Sequence, residues 1–219
     1  MTGRLVAWLA FIAVFSAAAY ASNFLVEDRA SGEPLYEAKF FVAGIVNFAL
    51  MVGIALVISI GLPKRDVFAL RRPRSWAAAI GIAIGVLIGV FIVGAVIGQF
   101  LDPGREQGLL PESWPPPDYA VYGLNASAIV VGAPVAEELM FRGLGYTLLA
   151  RFGPWVAIVG SALAWALAHG LVQAFPIIFA LGLGLGYLRS VTGSIVPGML
   201  VHATFNGIAL VAAAFEASH

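Results

Sequence analysis

The chain of 219 residues has no cysteine, which excludes disulfides, thiolate metal ligands and a cysteine nucleophile together. Charge is scarce as well: Asp, Glu, Lys and Arg make up 11% of residues, and the 12 basic and 12 acidic side chains cancel. With no net field to draw in a polyanion, no nucleic-acid partner is expected. Only three histidines occur, and none stands in a His-Glu-x-x-His signature, so the usual zinc-peptidase helix is missing. Glycine is plentiful, at Gly81, Gly85, Gly89, Gly94 and Gly98 and again at Gly182, Gly184 and Gly186, but always inside apolar sequence. A phosphate loop needs a preceding strand and water, so these glycines read as small residues for close helix packing.

Apolar residues dominate instead, at 61% of the chain with a mean hydropathy of +0.94. Values this high lie outside the range of soluble domains, and the expected fold class is all-α, a multi-pass transmembrane helical bundle. A hydrocarbon core about 30 Å thick needs about 20 apolar residues per helix. Such runs lie near 4–26, 38–62, 76–100, 119–151, 154–172, 174–190 and 194–215, giving seven helices. The run 119–151 is long for one crossing, and Pro134 inside it predicts a kink or a break, which would add an eighth short element. The run 174–190 is short and carries the triple glycine. The whole of 1–219 reads as a single integral membrane domain.

The connecting segments sort by charge as the positive-inside rule requires. Residues 63–75 carry Lys64, Arg65, Arg71, Arg72 and Arg74 against Asp66 alone, which marks them cytoplasmic; alternation puts Arg4, Arg151 and Arg189 on the same side. Segments 27–39 and 101–118 hold Glu27, Asp28, Glu33, Glu37, Asp102, Glu106, Glu112 and Asp118 and are expected outside. The chain is thus expected in the cell membrane with its amino terminus cytoplasmic. Arg4, the apolar run behind it and Ala19-Tyr20-Ala21 have the look of a cleavable signal peptide, but the run continues to Val26, which favours a retained first helix. Trp8, Trp76, Trp114 and Trp155 fall near span ends and read as interface anchors; Trp165 alone lies mid-span.

Three polar islands interrupt the apolar second half: Glu137, Glu138 and Arg142; His169; and His202 with Asn206. Ionisable groups at membrane depth are costly and usually functional. Glu138 and Arg142 are four apart, on one helical face and within reach of an ion pair. Glu137 points about 100° away and is the carboxylate left free. A turn at Gly153-Pro154 would place Glu137 sixteen residues before it and His169 sixteen after, each roughly 24 Å from the bend and therefore facing. His202 and Asn206 share a face of the last helix, with Thr204 pointing off it. Single polar residues often serve as glue between membrane helices, and for the Glu138–Arg142 pair the structural reading is the stronger; four further polar groups are more than glue requires.

The set Glu-Glu-x-x-x-Arg (Glu137, Glu138, Arg142), aromatic-x-x-x-His (Trp165, His169) and His-x-x-x-Asn (His202, Asn206) resembles the CAAX protease and bacteriocin-processing family of intramembrane proteases, the Abi family. The resemblance covers about 130–210, the expected catalytic core; the first 120 residues share only hydrophobicity. Trp165 stands where the family usually has Phe. The resemblance implies endopeptidase activity on a membrane-associated peptide or protein, with the bilayer and that substrate as partners. It implies catalytic roles for Glu137, Glu138, Arg142, His169, His202 and Asn206. Glu137 with His169 would activate water, and His202 with Asn206 would donate to the oxyanion. No cofactor is expected. The alternative is one zinc held by Glu137, His169 and His202, which would leave Glu138 as the only other base. Two further readings differ in class: a transporter or proton relay, disfavoured because no second Glu-Glu-x-x-x-Arg island suggests a repeat, and a non-catalytic immunity or scaffold protein of the same fold.

Overall fold

The computed structural model describes residues 2–25, 33–108, 110–111 and 114–218. Glu27, Asp28 and Glu112, assigned above to outer segments, and Val26 lie outside the described residues. Every apolar run forms a helix, and no strand occurs among the described residues. In chain order these are α1 (Thr2–Leu25), α2 (Ala38–Ile58), α3 (Trp76–Ile97), α4 (Tyr119–Phe152), α5 (Pro154–Ala168), α6 (Phe175–Thr192) and α7 (Val196–Ala217). Six are long and apolar enough to cross a membrane, and the chain is a multi-pass membrane protein. The seventh, α5, has 15 residues, about 22 Å of helix, and falls short of a full crossing. It stops at His169 because Gly170 takes φ +66°, a conformation in which the chain leaves the helix. A side chain at Gly170 would also strike the Ala19 backbone at 2.6 Å, so α1 sits directly on this turn.

The break expected at Pro134 is absent: α4 runs through all 34 residues. In place of a break the helix widens twice into π geometry, over Ala128–Gly132 and Glu138–Gly145. Proline lacks an N–H and normally disrupts the ladder. Here the ladder before it has shifted to i→i+5 bonding, with Ala133 N–H donating to Ala128 O. In that register residue 134 would serve the Ile129 carbonyl, and Asn206 Nδ2 on α7 donates to it instead, at 2.9 Å.

The α6 glycines pack rather than interrupt. Gly182 lies against Ala162 and Gly186 against Ile158, both on α5, while Gly184 faces Val86 on α3. A Cβ at Gly184 would sit 2.5 Å from Val86. Small residues at this spacing let α6 approach two neighbours at once. The core lies along α4 and α6, where Met140, Phe141, Leu144, Leu181, Leu185 and Leu188 are fully buried. Val14, Val42, Ile84 and Val211 face outward, as a helix bundle solvated by lipid allows.

Arg4, Lys64, Arg71 and Arg74 gather at one end of the bundle, whereas Lys39 lies beside Glu37 at the start of α2. Arg4 donates to the Ile58 and Ile60 carbonyls, Lys64 Nζ to Leu56 O, Arg71 Nε to Gly193 O and Arg74 Nη1 to Val191 O. Each satisfies carbonyls at a helix carboxyl end. One expectation fails here: Trp8 is no interface anchor. It is 1% exposed, donates from Nε1 to Met140 O at 3.3 Å, and fills the space that Gly145 leaves on α4. Trp76 and Trp155 are exposed, as anchors would be.

Candidate active site

Helix α4 supplies the first island, with Glu137 just before its second widened stretch and Glu138 and Arg142 within it. Glu138 and Arg142 are both fully buried and joined at 3.0 Å from Arg142 Nη1 to Glu138 Oε1. Arg142 Nη2 also donates to Gly182 O at 3.2 Å, tying the pair to α6. Room for the carboxylate comes from Gly198 on α7, where a Cβ would stand 2.8 Å from Glu138 Oε2. The pair forms as its spacing predicts, and it also ties α4 to α6 and lies against α7, beyond the local helix geometry expected of it.

Glu137 is the more accessible carboxylate, its side chain 14% exposed against 0% for Glu138. It is not free, which corrects the expectation above. Trp165 Nε1 donates to Glu137 Oε2 at 2.6 Å, and His202 Nε2 stands 3.8 Å from the same oxygen. The second nitrogen of His202, Nδ1, lies 3.8 Å from Glu138 Oε1. The His202 ring is therefore set between the two carboxylates, buried at 3% exposure.

His169 closes α5. Its backbone N–H donates to Ala166 O, and the Trp165 carbonyl takes a 2.8 Å hydrogen bond from the ring instead. With the proton assigned to Nδ1 as donor, Nε2 carries the lone pair. No direct hydrogen bond joins His169 to Glu137; Trp165 touches both. Its ring lies 5.0 Å from His169 at 90° and 5.0 Å from His202 at 78°, and the Arg142 guanidinium sits 4.3 Å from the ring centroid. One indole thus touches Glu137, Arg142, His169 and His202. Sequence reasoning treated Trp165 only as an aromatic neighbour of His169, although its position mid-span and away from any interface was the available signal.

His202 and Asn206 both face α4, as their spacing requires, His202 toward the glutamates and Asn206 toward Ile129. Thr204 is exposed and bonded to Leu200 O, away from them. The turn after His169 is clamped from two sides. Glu106 accepts from the N–H groups of Val172, Gln173 and Ala174 at 2.7, 2.7 and 2.9 Å, and Asn23 Nδ2 donates to Gly170 O at 3.1 Å. Glu106, in the short helix Pro103–Gln107, therefore anchors the residues between His169 and α6, a role that its place in a connecting segment concealed.

Among the described residues, no three His, Asp or Glu side chains are gathered so as to hold a metal ion. Glu137, His169 and His202, the trio that a three-ligand zinc site would need, are among the residues not gathered in this way.

No curated protein and no solved structure matches the chain. A family model does: residues 120–208 match type II CAAX prenyl endopeptidase, Rce1-like. The match spans α4 to α7 and includes Glu137, Glu138, Arg142, Trp165, His169, His202 and Asn206, the same residues that carry the resemblance to CAAX proteases. The part of the chain that builds this site, residues 120–208, is thus similar to the Rce1-like type II CAAX prenyl endopeptidases.

Proposed function

We propose that the chain is an intramembrane endopeptidase that hydrolyses a peptide bond of a membrane-associated, prenylated substrate without a metal ion. The observation that carries the reading is the contrast between the two glutamates: Glu138 is spent on Arg142 in the dry interior, while Glu137 is more accessible and lies among two imidazoles and an indole. Water held between Glu137 and the His169 Nε2 lone pair would give up a proton as its oxygen attacks the amide carbonyl carbon. Negative charge then develops on the carbonyl oxygen, where the His202 ring and the second N–H of the Asn206 amide can donate. Collapse of the tetrahedral intermediate breaks the C–N bond, and the proton held by the Glu137 and His169 pair passes to the leaving amine. Trp165 positions the base by its hydrogen bond to Oε2, and Glu138 with Arg142 holds the helices in register.

The amino terminus would lie in the cytoplasm with the basic end of the bundle, following the positive-inside rule. The test is cleavage of a farnesylated CAAX-type peptide by the purified chain in liposomes, followed by mass spectrometry. Release of the terminal tripeptide supports the proposal, and ion or proton flux without cleavage would replace it with a transport function.

A further inference from the structure

We propose that the carboxyl end of α6 carries an anion site that takes a phosphate group, supplied in a membrane by the headgroup of an acidic phospholipid. The key residue is Arg189, in the last turn of α6 and only 9% exposed. Its guanidinium lies 5.0 Å from the Tyr146 ring centroid on α4. Its buried Nε has no hydrogen-bond partner, and no carboxylate among the described residues pairs with it.

Two more guanidinium groups are brought to the same turn. Arg71 Nε donates to Gly193 O at 2.8 Å and Arg74 Nη1 to Val191 O at 3.4 Å, while Arg74 N–H donates to Thr192 O. Both lie near enough for their charges to oppose that of Arg189. The acid nearest to them, Asp66, is largely exposed and reaches Arg71 only at 3.5 Å. Capping of the α6 carbonyls accounts for Arg71 and Arg74. It does not account for Arg189, which donates to none of them. Three cations converge with one weak counter-charge, and the buried member has an idle donor. An anion with several acceptor oxygens resolves both problems, since the guanidinium fork matches phosphate geometry. A basic pocket between membrane helices is a recurrent seat for lipid headgroups. Tyr146 adds a fixed face that holds the Arg189 plane. The site lies about 10 Å along α6 from Gly182, the partner of Arg142, and it stands independently of the peptidase proposal.

Purified chain in neutral detergent is tested by native mass spectrometry and thermal melting with phosphatidylglycerol, phosphatidylcholine or inorganic phosphate added. Retained phosphatidylglycerol with a raised Tm, and no such effect of phosphatidylcholine, is the expected result. In Arg189→Gln both signals should be lost, with lipid binding weaker by about tenfold or more. If that variant does not fold, Arg189→Lys, which keeps the charge but not the fork, should bind about tenfold more weakly than the wild type. Inorganic phosphate that reproduces the Tm shift and displaces the lipid upholds the site and identifies free phosphate as its source. No preference for the anionic lipid or phosphate, or retention in Arg189→Gln and Arg189→Lys equal to that of the wild type, overturns the proposal.

Discussion

At the scale of single residues, neighbouring carboxylates of one sequence pair have opposite fates. Glu138 is enclosed with Arg142, and removing it would strand a buried guanidinium that has already left its Nε unpaired. Glu138→Ala should therefore cost about 3–5 kcal/mol of stability, read as a clear fall in Tm in detergent, and an unchanged Tm would contradict the ion pair. Glu137 is instead oriented by Trp165 through a hydrogen bond that the phenylalanine usual in the resembling family could not make. Trp165→Phe keeps a ring beside His169 and His202 but removes the N–H. The expected outcome is a kcat lower by about tenfold, in line with the strength of a hydrogen bond to a charged group, with Tm little changed. Equal kcat in the variant would show that the indole does not position the base.

At the scale of elements, the site depends on a helix that departs from α geometry. The two π stretches of α4 flank Pro134, and the second begins next to Glu137 and holds Glu138 and Arg142, a common place for such widening. The islands themselves were legible in the sequence because polar residues in apolar runs stand out and i, i+4 spacing survives small changes of pitch. The continuity of α4 was not legible, since a proline in a long run fits a break or a widened turn equally well, and what decides is a donor from another helix. Asn206 is that donor: one N–H satisfies Ile129 O, and in the proposed mechanism the other would donate to the substrate oxyanion. Asn206→Ala should then lower turnover by roughly 10² to 10³ fold and also cost about 1–3 kcal/mol by leaving the Ile129 carbonyl unpaired. A loss of rate with no change in Tm would separate the two roles and remove the structural one. Trp8 was misjudged for a related reason: nearness to a span end suggests the interface, whereas the vacancy at Gly145 on a distant helix decides where the ring goes.

At the scale of the whole molecule, α1 and the segment after α3 brace the site without contributing catalytic groups. Asn23 and Glu106 fix the turn that follows His169, and the basic end of the bundle is stitched by arginines bonded to helix carboxyl ends. Hydropathy made the bundle legible as a whole, while these long-range clamps join residues with no periodic relation and left no pattern to read. For the purified, active protein, elemental analysis should find well under one zinc per chain, and chelator should leave activity intact. About one zinc, lost with activity on chelation and restored by adding it back, would reassign Glu137, His169 and His202 as ligands. The most direct test of the central claim is the turnover of a prenylated CAAX-type peptide by Glu137→Gln beside the wild type, with both shown to melt alike. The account predicts a loss of at least about 10³ fold, since a carboxamide cannot take the proton from water; activity within a few fold of wild type would contradict it.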